Sequence, residues 1–558
     1  MTQSSVRGEG TRPGVRRTRG VDWTDGRPQE DETAPDGDGP GRGDGNGHRH
    51  GGGRRGGGKR RVLRWSATTL AVLILGTAGA GYLYYEHLNN NIRKGQRSSG
   101  DSEAQKSKPN SAGQTPMNIL LIGSDSRNSD ANVALGGSRD NRGNPPLGDV
   151  QMLIHLSADR KSAAVVSIPR DTRVDIPQCT DPKTGKVYPP VNTIINESLA
   201  RGGAGCTLAT WQNLTGVYID HWMTIDFAGV VQMADAIGGV DVCVKQNVWD
   251  RPLPGVPGGS GLKLTAGTHK VKGKQALQWL RTRHAWGSDP LRARAQHMYL
   301  NAMIRELKGQ NVFTGTGRLM DLAEAATKSL QVSEEIGTVK KLYDLGMQLK
   351  TVPTDRITMT TMPWVEDAQN RDHVVPDAAN AQKMWKMLRD DVPFDANGKD
   401  SGSGAQKTTD QAQASSDTAD PDGQIGVTVQ NGTRTATLGP VSRRATDISQ
   451  VLVQKGFTKA AADASVTPSA DETVVRYPSA ELKGDAERVA KVLGIPASAV
   501  EKSTDVSGVT VVVGADWRTG STYPKQTAPK AGDIPQNSDA INGADTQQCM
   551  DVYAPYRW

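Results

Sequence analysis

Cysteine is scarce in this 558-residue chain, and its spacing excludes one common use of the residue. Only four cysteines are present, Cys179, Cys206, Cys243 and Cys549, and no two of them form a C-x-x-C pair. This spacing argues against a zinc site. The meaning of the four thiols otherwise depends on the compartment of the protein, because disulfides persist in oxidising surroundings.

The chain also lacks the aromatic-interleaved basic grooves and the zinc-finger spacings that are typical of nucleic-acid-binding proteins. Its formal net charge of +7 is modest for its length, and much of it comes from one cluster between Arg54 and Arg64. We therefore expect no nucleic-acid partner. With 35% hydrophobic residues, the chain is too long for one domain and still able to bury one or two ordinary cores.

The N-terminal region predicts a membrane anchor. Residues 1–61 contain almost no aliphatic side chains, so burial cannot offset the chain entropy and a disordered arm is predicted. Residues 62–85 include an uncharged run that approaches the roughly 20 residues needed to span a bilayer. The basic cluster before this run predicts a single-pass signal-anchor in the cell membrane, with a cytoplasmic N-terminus and an extracytoplasmic catalytic domain.

A cleaved signal peptide is the alternative, but such peptides occupy about the first 15 to 30 residues. In an extracytoplasmic compartment Cys179 and Cys206 are able to form a disulfide. The sequence alone leaves the pairing of the cysteines open.

Composition divides the rest of the chain. Residues 86–115 are polar and predict a stalk, and residues 116–395 alternate between strand and helix patterns, which indicates an α/β sheet covered on its faces. A linker rich in Ser, Gly and Asp follows at 396–424. Residues 425–518 predict a small second α/β domain, and residues 519–558 predict a disordered tail. The helices expected in the larger domain include 192–199 and 320–350.

Charged residues lie where predicted strands begin or end. An apolar run at 163–168 stops at a proline, and Arg170 and Asp171 follow at its mouth. Asp125 follows another predicted strand, and Asp149 opens the next one. Ligands of α/β proteins bind at the carboxyl ends of strands, so these residues are candidates for a site. The alternative is a solvated turn with a local ion pair.

A second group of cations lies in the run LRTRHAWGSDPLRARAQ at 280–296. Several arginines with a few aspartates, and no paired Ser and His nucleophile, suit a bound pyrophosphate. Guanidinium groups grip phosphate oxygens, while carboxylates hold Mg²⁺. Phosphoryl transfer needs little else, because positioning and charge stabilisation supply most of the catalysis.

These segments together resemble the LytR-CpsA-Psr family of membrane-anchored enzymes. The matching segments, in the family's order, are NILLIGSDSR, DVQMLIHLS, VVSIPRDTRV, DFAGVVQMADAIGGVDVCV and ALQWLRTRHAWGSDPLRARAQ. The resemblance implies a three-layer α/β/α domain. It also implies a phosphotransferase that moves a cell-wall glycopolymer from a polyprenyl-pyrophosphate carrier onto peptidoglycan and releases polyprenyl phosphate. The segment at 425–518 resembles the small LytR-type C-terminal domain.

The resemblance also implies roles for individual residues. Asp125 and Asp149 would coordinate Mg²⁺ or Mn²⁺, or assist deprotonation of the acceptor hydroxyl, and Asp171 would orient Arg170 or the metal. Catalysis would rest on Asp125, Asp149 and Arg170. The residues implied to bind the pyrophosphate are Arg170, Asp171, Arg281, Arg283, Arg292 and Gln296. Apolar helices at 230–237 and 300–307 would line a slot for the prenyl chain, although the same spacing serves ordinary core-facing helices.

Three positions depart from the family pattern. Leu147, Val191 and Ala295 stand where many members carry a cation. Arg294, one position before Ala295, is a candidate substitute for the last of them. The departures keep two alternatives open: a non-catalytic polyprenyl-pyrophosphate-binding or regulatory protein, and a carrier pyrophosphatase that uses water as the acceptor.

Overall fold

The N-terminal helix α1, Gly57–Asn91, opens the described part of the chain. The computed structural model describes residues 57–102, 104–107, 109–126, 130–135, 143–309, 316–397, 419–434, 439–465, 470, 472–524 and 529–558. Within α1, Leu63–Asn91 is long and apolar enough to cross a membrane, with a mean hydropathy of 1.4 over an 18-residue stretch. Most of the predicted arm and linker lies outside the described residues.

The remaining elements alternate along the chain. The helices are α2 (Asp130–Ala134), α3 (Ser198–Gly202), α4 (Ala204–Thr215), α5 (Phe227–Ala236), α6 (Gly273–Arg281), α7 (Asp289–Gly309), α8 (Thr316–Ser329), α9 (Val339–Thr351), α10 (Ala378–Arg389), α11 (Arg444–Gln454) and α12 (Lys483–Leu493). The strands are β1 (Arg93–Gly95), β2 (Met117–Ser124), β3 (Gly148–Leu156), β4 (Ala163–Ser167), β5 (Arg173–Ile176), β6 (Cys179–Thr180), β7 (Val187–Tyr188), β8 (Val191–Ile194), β9 (His221–Ile225), β10 (Val240–Val244), β11 (Val248–Trp249), β12 (Lys263–Leu264), β13 (Gly267–Val271), β14 (Leu330–Ser333), β15 (Ile357–Thr361), β16 (Trp364–Glu366), β17 (Val374–Pro376), β18 (Gly426–Asn431), β19 (Lys459–Asp463), β20 (Val474–Tyr477), β21 (Val500–Lys502), β22 (Val509–Val513) and β23 (Ile541–Asn542).

The main sheet has eight strands in the order β1-β14-β9-β2-β3-β4-β15-β23. It is mixed: β9 pairs parallel with β2 and β4 pairs parallel with β15, while β3 runs antiparallel to both of its neighbours. The antiparallel pairs place the start of β3 beside the ends of β2 and β4. Charged residues at those three positions are therefore brought to one edge of the sheet.

Alternate residues of each strand serve two different cores, because successive side chains of a strand point to opposite faces. On one face Leu120 and Ile122 pack with Trp211 of α4 and Trp385 of α10. On the other face Ile154 belongs to clusters that include residues of α7 and α9. The sheet is thus covered on both faces, and the predicted α/β fold is confirmed.

The second domain has its own five-stranded sheet in the order β19-β18-β22-β20-β21. Its strands pack against α11 and α12, and its core includes Ile448, Leu452, Val489 and Phe457. The predicted second α/β domain is present.

The expected stalk at 86–115 is wrong in its first part. Helix α1 continues to Asn91, and β1 then joins the edge of the main sheet beside β14. Leu88 and Ile92 are buried, and Ile92 packs with Ile119 and Val332. Two buried apolar residues are enough to order this polar segment, because β14 at the edge of the sheet supplies hydrogen-bond partners for its backbone.

The expected disorder of residues 519–558 is also wrong for the part that the structure describes. Strand β23 pairs antiparallel with β15, and Ile541, Met550, Val552 and Tyr556 are buried in one cluster with residues of α6 and α7. The tail is rich in polar residues, but these few apolar side chains are spaced to reach a core that the larger domain already provides.

Two disulfides link distant segments. Cys179 and Cys206 pair, as the sequence allowed, and Cys243 of β10 pairs with Cys549 of the tail, 306 residues later. The second disulfide links the tail to the paired strands β10 and β13. No free cysteine occurs in the chain.

Two expected helices are replaced. The segment predicted as a helix at 192–199 begins with β8, continues as a 3₁₀ helix at Ile195–Glu197 and becomes α-helical at α3. The predicted helix 320–350 is divided into α8 and α9 by β14, which inserts between β1 and β9. In both places pairing with a neighbouring strand overrides a local helical pattern.

Helix α7 buries the side chain of His297 completely, which predicts a dependence of stability on pH. Burial, with a smaller contribution from the nearby charge of Arg294, lowers the pKa of the His297 imidazole to about 3. The unfolded state therefore binds a proton below pH 6.5 that the folded state does not, and stability falls as pH falls. From pH 7.5 to 5, we expect this residue to cost the native state about 2 kcal/mol.

The measurement compares chemical unfolding of the full-length protein with that of His297→Gln at both pH values. Carboxylates and other histidines contribute equally to the two proteins, so the difference between their pH dependences isolates His297. Equal dependences would contradict the prediction.

Candidate active site

A cavity of about 650 Å³ lies between the main sheet and helices α5, α6, α7 and α9. Its lining divides into two parts of different chemistry. The charged part lies at the sheet edge where β3 begins, and it contains Asp149, Arg170, Arg281, Arg283 and Arg292. The remainder is lined mostly by aliphatic and methionine side chains. A cavity of this composition is suited to an amphipathic ligand with an anionic head.

An ion pair across two strands defines the charged part. Asp149 is the second residue of β3, and Arg170 follows β4, whose pairing with β3 brings the two together. The Arg170 Nη1 atom donates to Asp149 Oδ1 at 2.9 Å, and Arg170 Nε lies 3.3 Å from Asp171 Oδ1. Both side chains of the Arg170–Asp149 pair stay partly exposed to the cavity, at 21% and 24%. Asp171 contacts Arg170 but does not line the cavity.

The cations of the 280–296 segment converge on the same place. Arg281 ends α6 and lies over the Phe227 ring, 4.7 Å from its centroid. Arg292, only 7% exposed, donates from Nη2 to the backbone oxygen of Asp149 at 3.4 Å. Gln296, one turn further along α7, donates to the backbone oxygen of Leu280 at 3.1 Å. The structure therefore places Arg292 against the start of β3, and Arg281 and Arg283 line the same cavity.

Asp125 occupies a different position from Asp149. Its Oδ1 accepts the backbone N–H of Leu147 at 2.8 Å, and its own N–H donates to the Leu147 oxygen at 3.2 Å. The side chain thus fastens the loop before β3, and it does not line the cavity. Ser124, the last residue of β2, pairs with Gly148, the first residue of β3. Asp125 and Asp149 each come directly after one member of this pair, at adjacent strand ends.

The carboxylates of the site offer oxygen donors, which are the ligands that Mg²⁺ prefers. In the described part of the chain no group of three His, Cys, Asp or Glu side chains gathers to hold a metal ion. Mg²⁺ is commonly bound by one or two carboxylates together with substrate phosphates. Asp149 lines the cavity and is able to supply one such carboxylate. The second candidate, Asp125, comes from the adjacent strand end, outside the cavity lining, and its Oδ1 already accepts the Leu147 N–H.

The two segments predicted as lining helices, 230–237 and 300–307, belong to α5 and α7, and both helices line the apolar part of the cavity. Val230 and Met233 of α5 face Leu300, Met303, Ile304 and Leu307 of α7 across it. The sheet contributes Val150, Met152, Ile154 and Val165 from β3 and β4. The far end carries Lys308 and Lys350, which the sequence did not indicate. Burial lowers the pKa of the Lys308 ammonium group, whose Nζ donates to the Val352 oxygen.

Asp226 also lines the cavity and was not predicted as a site residue from the sequence. Asp226 caps α5, accepting the Gly229 N–H at 2.9 Å and the Asn132 amide at 3.0 Å. An aspartate directly before an apolar helical run is a typical cap, and that signal was available in the sequence.

None of the three departures from the family pattern lies in the cavity lining. Val191 packs against the core on the opposite face of the sheet. Ala295 is fully buried in another cluster, where its oxygen accepts the indole N–H of Trp279. Arg294 does not substitute for the missing cation, because its guanidinium donates to Asp539 and Gln548 of the tail. The sequence-based expectation of a substitute at Arg294 is wrong.

Comparison with known families decides the affiliation of this fold and site. Residues 82–390, more than half of the chain, match the model of the LytR_cpsA_psr family. The chain belongs to this family. Residues 424–517 match a second model, described as LytR cell envelope-related transcriptional attenuator.

Relatives of this LytR_cpsA_psr protein include cell-wall proteins. Cell wall biosynthesis protein LcpA of Corynebacterium glutamicum is 28% identical over 328 residues, 54% of this chain and 60% of LcpA. Polyisoprenyl-teichoic acid–peptidoglycan teichoic acid transferase TagV of Bacillus subtilis is 23% identical over 343 residues, 60% of this chain and 80% of TagV. The match to a solved structure of TagT bound to LI-WTA covers 54% of this chain and 98% of the TagT chain, with 20% identity and a TM-score of 0.39. The chain thus spans less than two thirds of LcpA.

The contrast between Arg292 and Arg294 gives a matched pair of variants. Arg292→Met removes a cation of the cavity, and we expect binding of inorganic pyrophosphate to weaken at least tenfold, since hydrogen bonds to charged groups contribute about 1.5–3 kcal/mol. Arg294→Met should leave this affinity within about twofold and instead increase proteolysis of the tail. Titration calorimetry and limited proteolysis of the full-length protein measure both. Equal losses of affinity in the two variants would show that Arg294 reaches the ligand.

Proposed function

We propose that this chain is a membrane-anchored phosphotransferase that attaches a glycopolymer to peptidoglycan. The donor would be a polyprenyl-pyrophosphate-linked glycan, and the product beside the modified wall would be polyprenyl phosphate. The named activity of TagV and the membership of LcpA in cell-wall biosynthesis support this class of reaction. In the proposed topology α1 crosses the cell membrane, with a cytoplasmic N-terminus and an extracytoplasmic catalytic domain.

The observation that carries the proposal is the division of one cavity into a cationic end and an apolar remainder. A pyrophosphate carries several negative charges, and a prenyl chain is entirely apolar. Guanidinium groups bind phosphate oxygens through paired donors, which suits Arg170, Arg281, Arg283 and Arg292 to the head group. The helices α5 and α7 would then shelter the prenyl chain from water.

The proposed reaction is a displacement at phosphorus. The acceptor hydroxyl oxygen forms a bond to the sugar-proximal phosphorus, and the bond from that phosphorus to the bridging oxygen breaks. Polyprenyl phosphate leaves with the electron pair, and the hydroxyl proton would pass to a carboxylate, for which we propose Asp149 of the cavity lining. Arg170, held by Asp149 and Asp171, would stabilise charge on the phosphates in the transition state.

Asp149 and Asp125 are the residues that would hold Mg²⁺ or Mn²⁺ together with the phosphates of the donor. A bound divalent ion would neutralise phosphate charge and thereby support departure of the leaving group. Arg170 would hold the Asp149 carboxylate in position through the 2.9 Å contact.

The two alternatives differ from transfer in their products. A binding or regulatory protein would retain the carrier without cleaving it, and a pyrophosphatase would pass the glycan phosphate to water. The substitutions at Val191 and Ala295 give no support to the binding alternative, because both positions face cores rather than the cavity.

Replacing Arg170 tests the transferase. The full-length protein in lipid nanodiscs is incubated with labelled polyprenyl-pyrophosphate oligosaccharide, Mg²⁺ and peptidoglycan fragments. We expect Arg170→Ala to lower kcat by about 10²–10³-fold, as is typical for removal of one electrostatic donor from a transition state. Arg476→Ala, which changes an arginine of the second domain, is the matched control and should transfer normally. Unchanged transfer by Arg170→Ala would refute the proposal, and release of the label into water would favour the pyrophosphatase.

Removal of divalent ions tests the metal. We expect a chelator to abolish transfer and added Mg²⁺ or Mn²⁺ to restore it. Asp149→Asn should bind Mn²⁺ more weakly in the presence of inorganic pyrophosphate, because one carboxylate ligand is lost. Electron paramagnetic resonance of Mn²⁺ measures this binding without turnover. Full activity in the chelator would exclude the metal.

A further inference from the structure

Several exposed aromatic side chains lie in the tail and in the strand beside it. In the described chain outside α1, four aromatic residues are more than a third exposed: Trp249 (39%), Tyr343 (40%), Tyr553 (55%) and Trp558 (50%). Three of these belong to the tail and the strand beside it. Exposing large apolar rings in water is unfavourable, so a cluster of them with a polar rim marks a surface that binds something.

The rings of this surface are held in place by the fold. The Lys263 ammonium lies 4.5 Å from the Trp249 ring centroid and 4.4 Å from that of Trp558, so the two rings flank one cation. The Trp558 indole N–H donates to the Val248 oxygen at 3.1 Å. Arg251 lies 4.8 Å from the Trp249 ring. Ordered rings lose little conformational entropy when a ligand packs on them.

The surface continues to the charged end of the cavity. The Tyr553 N–H donates to the Ala285 oxygen at 2.8 Å, and the Tyr556 ring stacks on His284 with centroids 6.0 Å apart. His284 directly follows Arg283, which lines the cavity. We call the surface formed by Trp249, Arg251, Lys263, Tyr553 and Trp558 the tail surface. It therefore borders the place where phosphoryl transfer is proposed.

We propose that the tail surface binds the glycan strand of peptidoglycan and presents its hydroxyl to the cavity. This inference rests on the proposed function for the identity of the acceptor. The flat carbon–hydrogen faces of sugar rings pack against aromatic rings, and the carboxylates of the peptidoglycan stems pair with Lys263 and Arg251. An acceptor must approach at the charged end because the reacting phosphorus lies there. The tail surface is the aromatic and cationic surface that adjoins this end.

Binding measurements test the tail surface separately from catalysis. Soluble, uncrosslinked peptidoglycan strands are titrated into the full-length protein in nanodiscs. We expect Trp249→Ala, Tyr553→Ala and Trp558→Ala each to weaken binding about tenfold, in the range of aromatic contacts at the centre of an interface. Tyr343→Ala, a similarly exposed aromatic residue on α9, is the matched control and should bind like the original protein.

Two further measurements distinguish the loss of an aromatic contact from a general loosening of the tail structure. Tyr553→Phe keeps the ring and should retain binding, and binding of inorganic pyrophosphate should be unchanged in every variant. In the transfer assay, the variants should raise the acceptor KM while kcat at saturating acceptor is unchanged.

The outcomes separate this inference from the proposed function. If the original protein transfers and the alanine variants bind the strands equally well, the tail surface is not the acceptor site. If the original protein binds the strands through these rings and never transfers, the surface stands and the proposed function fails. If the variants instead lose attachment to empty lipid vesicles or to a protein and retain the glycan, the inference is overturned.

Discussion

The pairing of β3 between β2 and β4 is the constraint on which the site depends. Antiparallel neighbours on both sides bring the start of this strand next to the ends of the other two. Arg170 therefore meets Asp149 although 21 residues separate them in the chain. Successive side chains of β3 alternate between the buried core on one face of the sheet and the cavity on the other face. A shift of the register by one residue would exchange these two faces and remove both the ion pair and the apolar lining.

The fold class was predictable from local strand and helix patterns, whereas the individual candidate residues came from the resemblance to the LytR-CpsA-Psr family. Apolar runs that end at charged residues indicated the strands, and Arg170, Arg281, Arg283, Arg292 and Gln296 all line the cavity. The position of Asp125 was not predictable, because its contact with the Leu147 backbone depends on a loop that returns after 22 residues. Likewise, Arg294 follows the helical spacing of its neighbours, and only the folded tail reveals its partner.

The errors at the two ends of the large domain have a common physical origin. Residues 86–95 and 529–558 are polar in composition, and composition measures the average character of a segment. A sheet with open edges needs only a few buried residues and a row of backbone partners, and β1 and β23 supply these at opposite edges. Such short edge strands are stabilised by the domain they join rather than by their own sequence, so sequence periodicity does not reveal them.

The position of β23 also has a consequence for the biosynthesis of the protein. Strand β15 obtains its outer neighbour, and Cys243 its partner, from residues that follow the linker and the second domain in the chain. The larger domain is therefore interrupted in sequence by the linker and the second domain, which must be synthesised before it is complete. Contacts across such a separation form late in folding. A truncation that removes β23 and Cys549 would consequently damage the part of the molecule that was translated first.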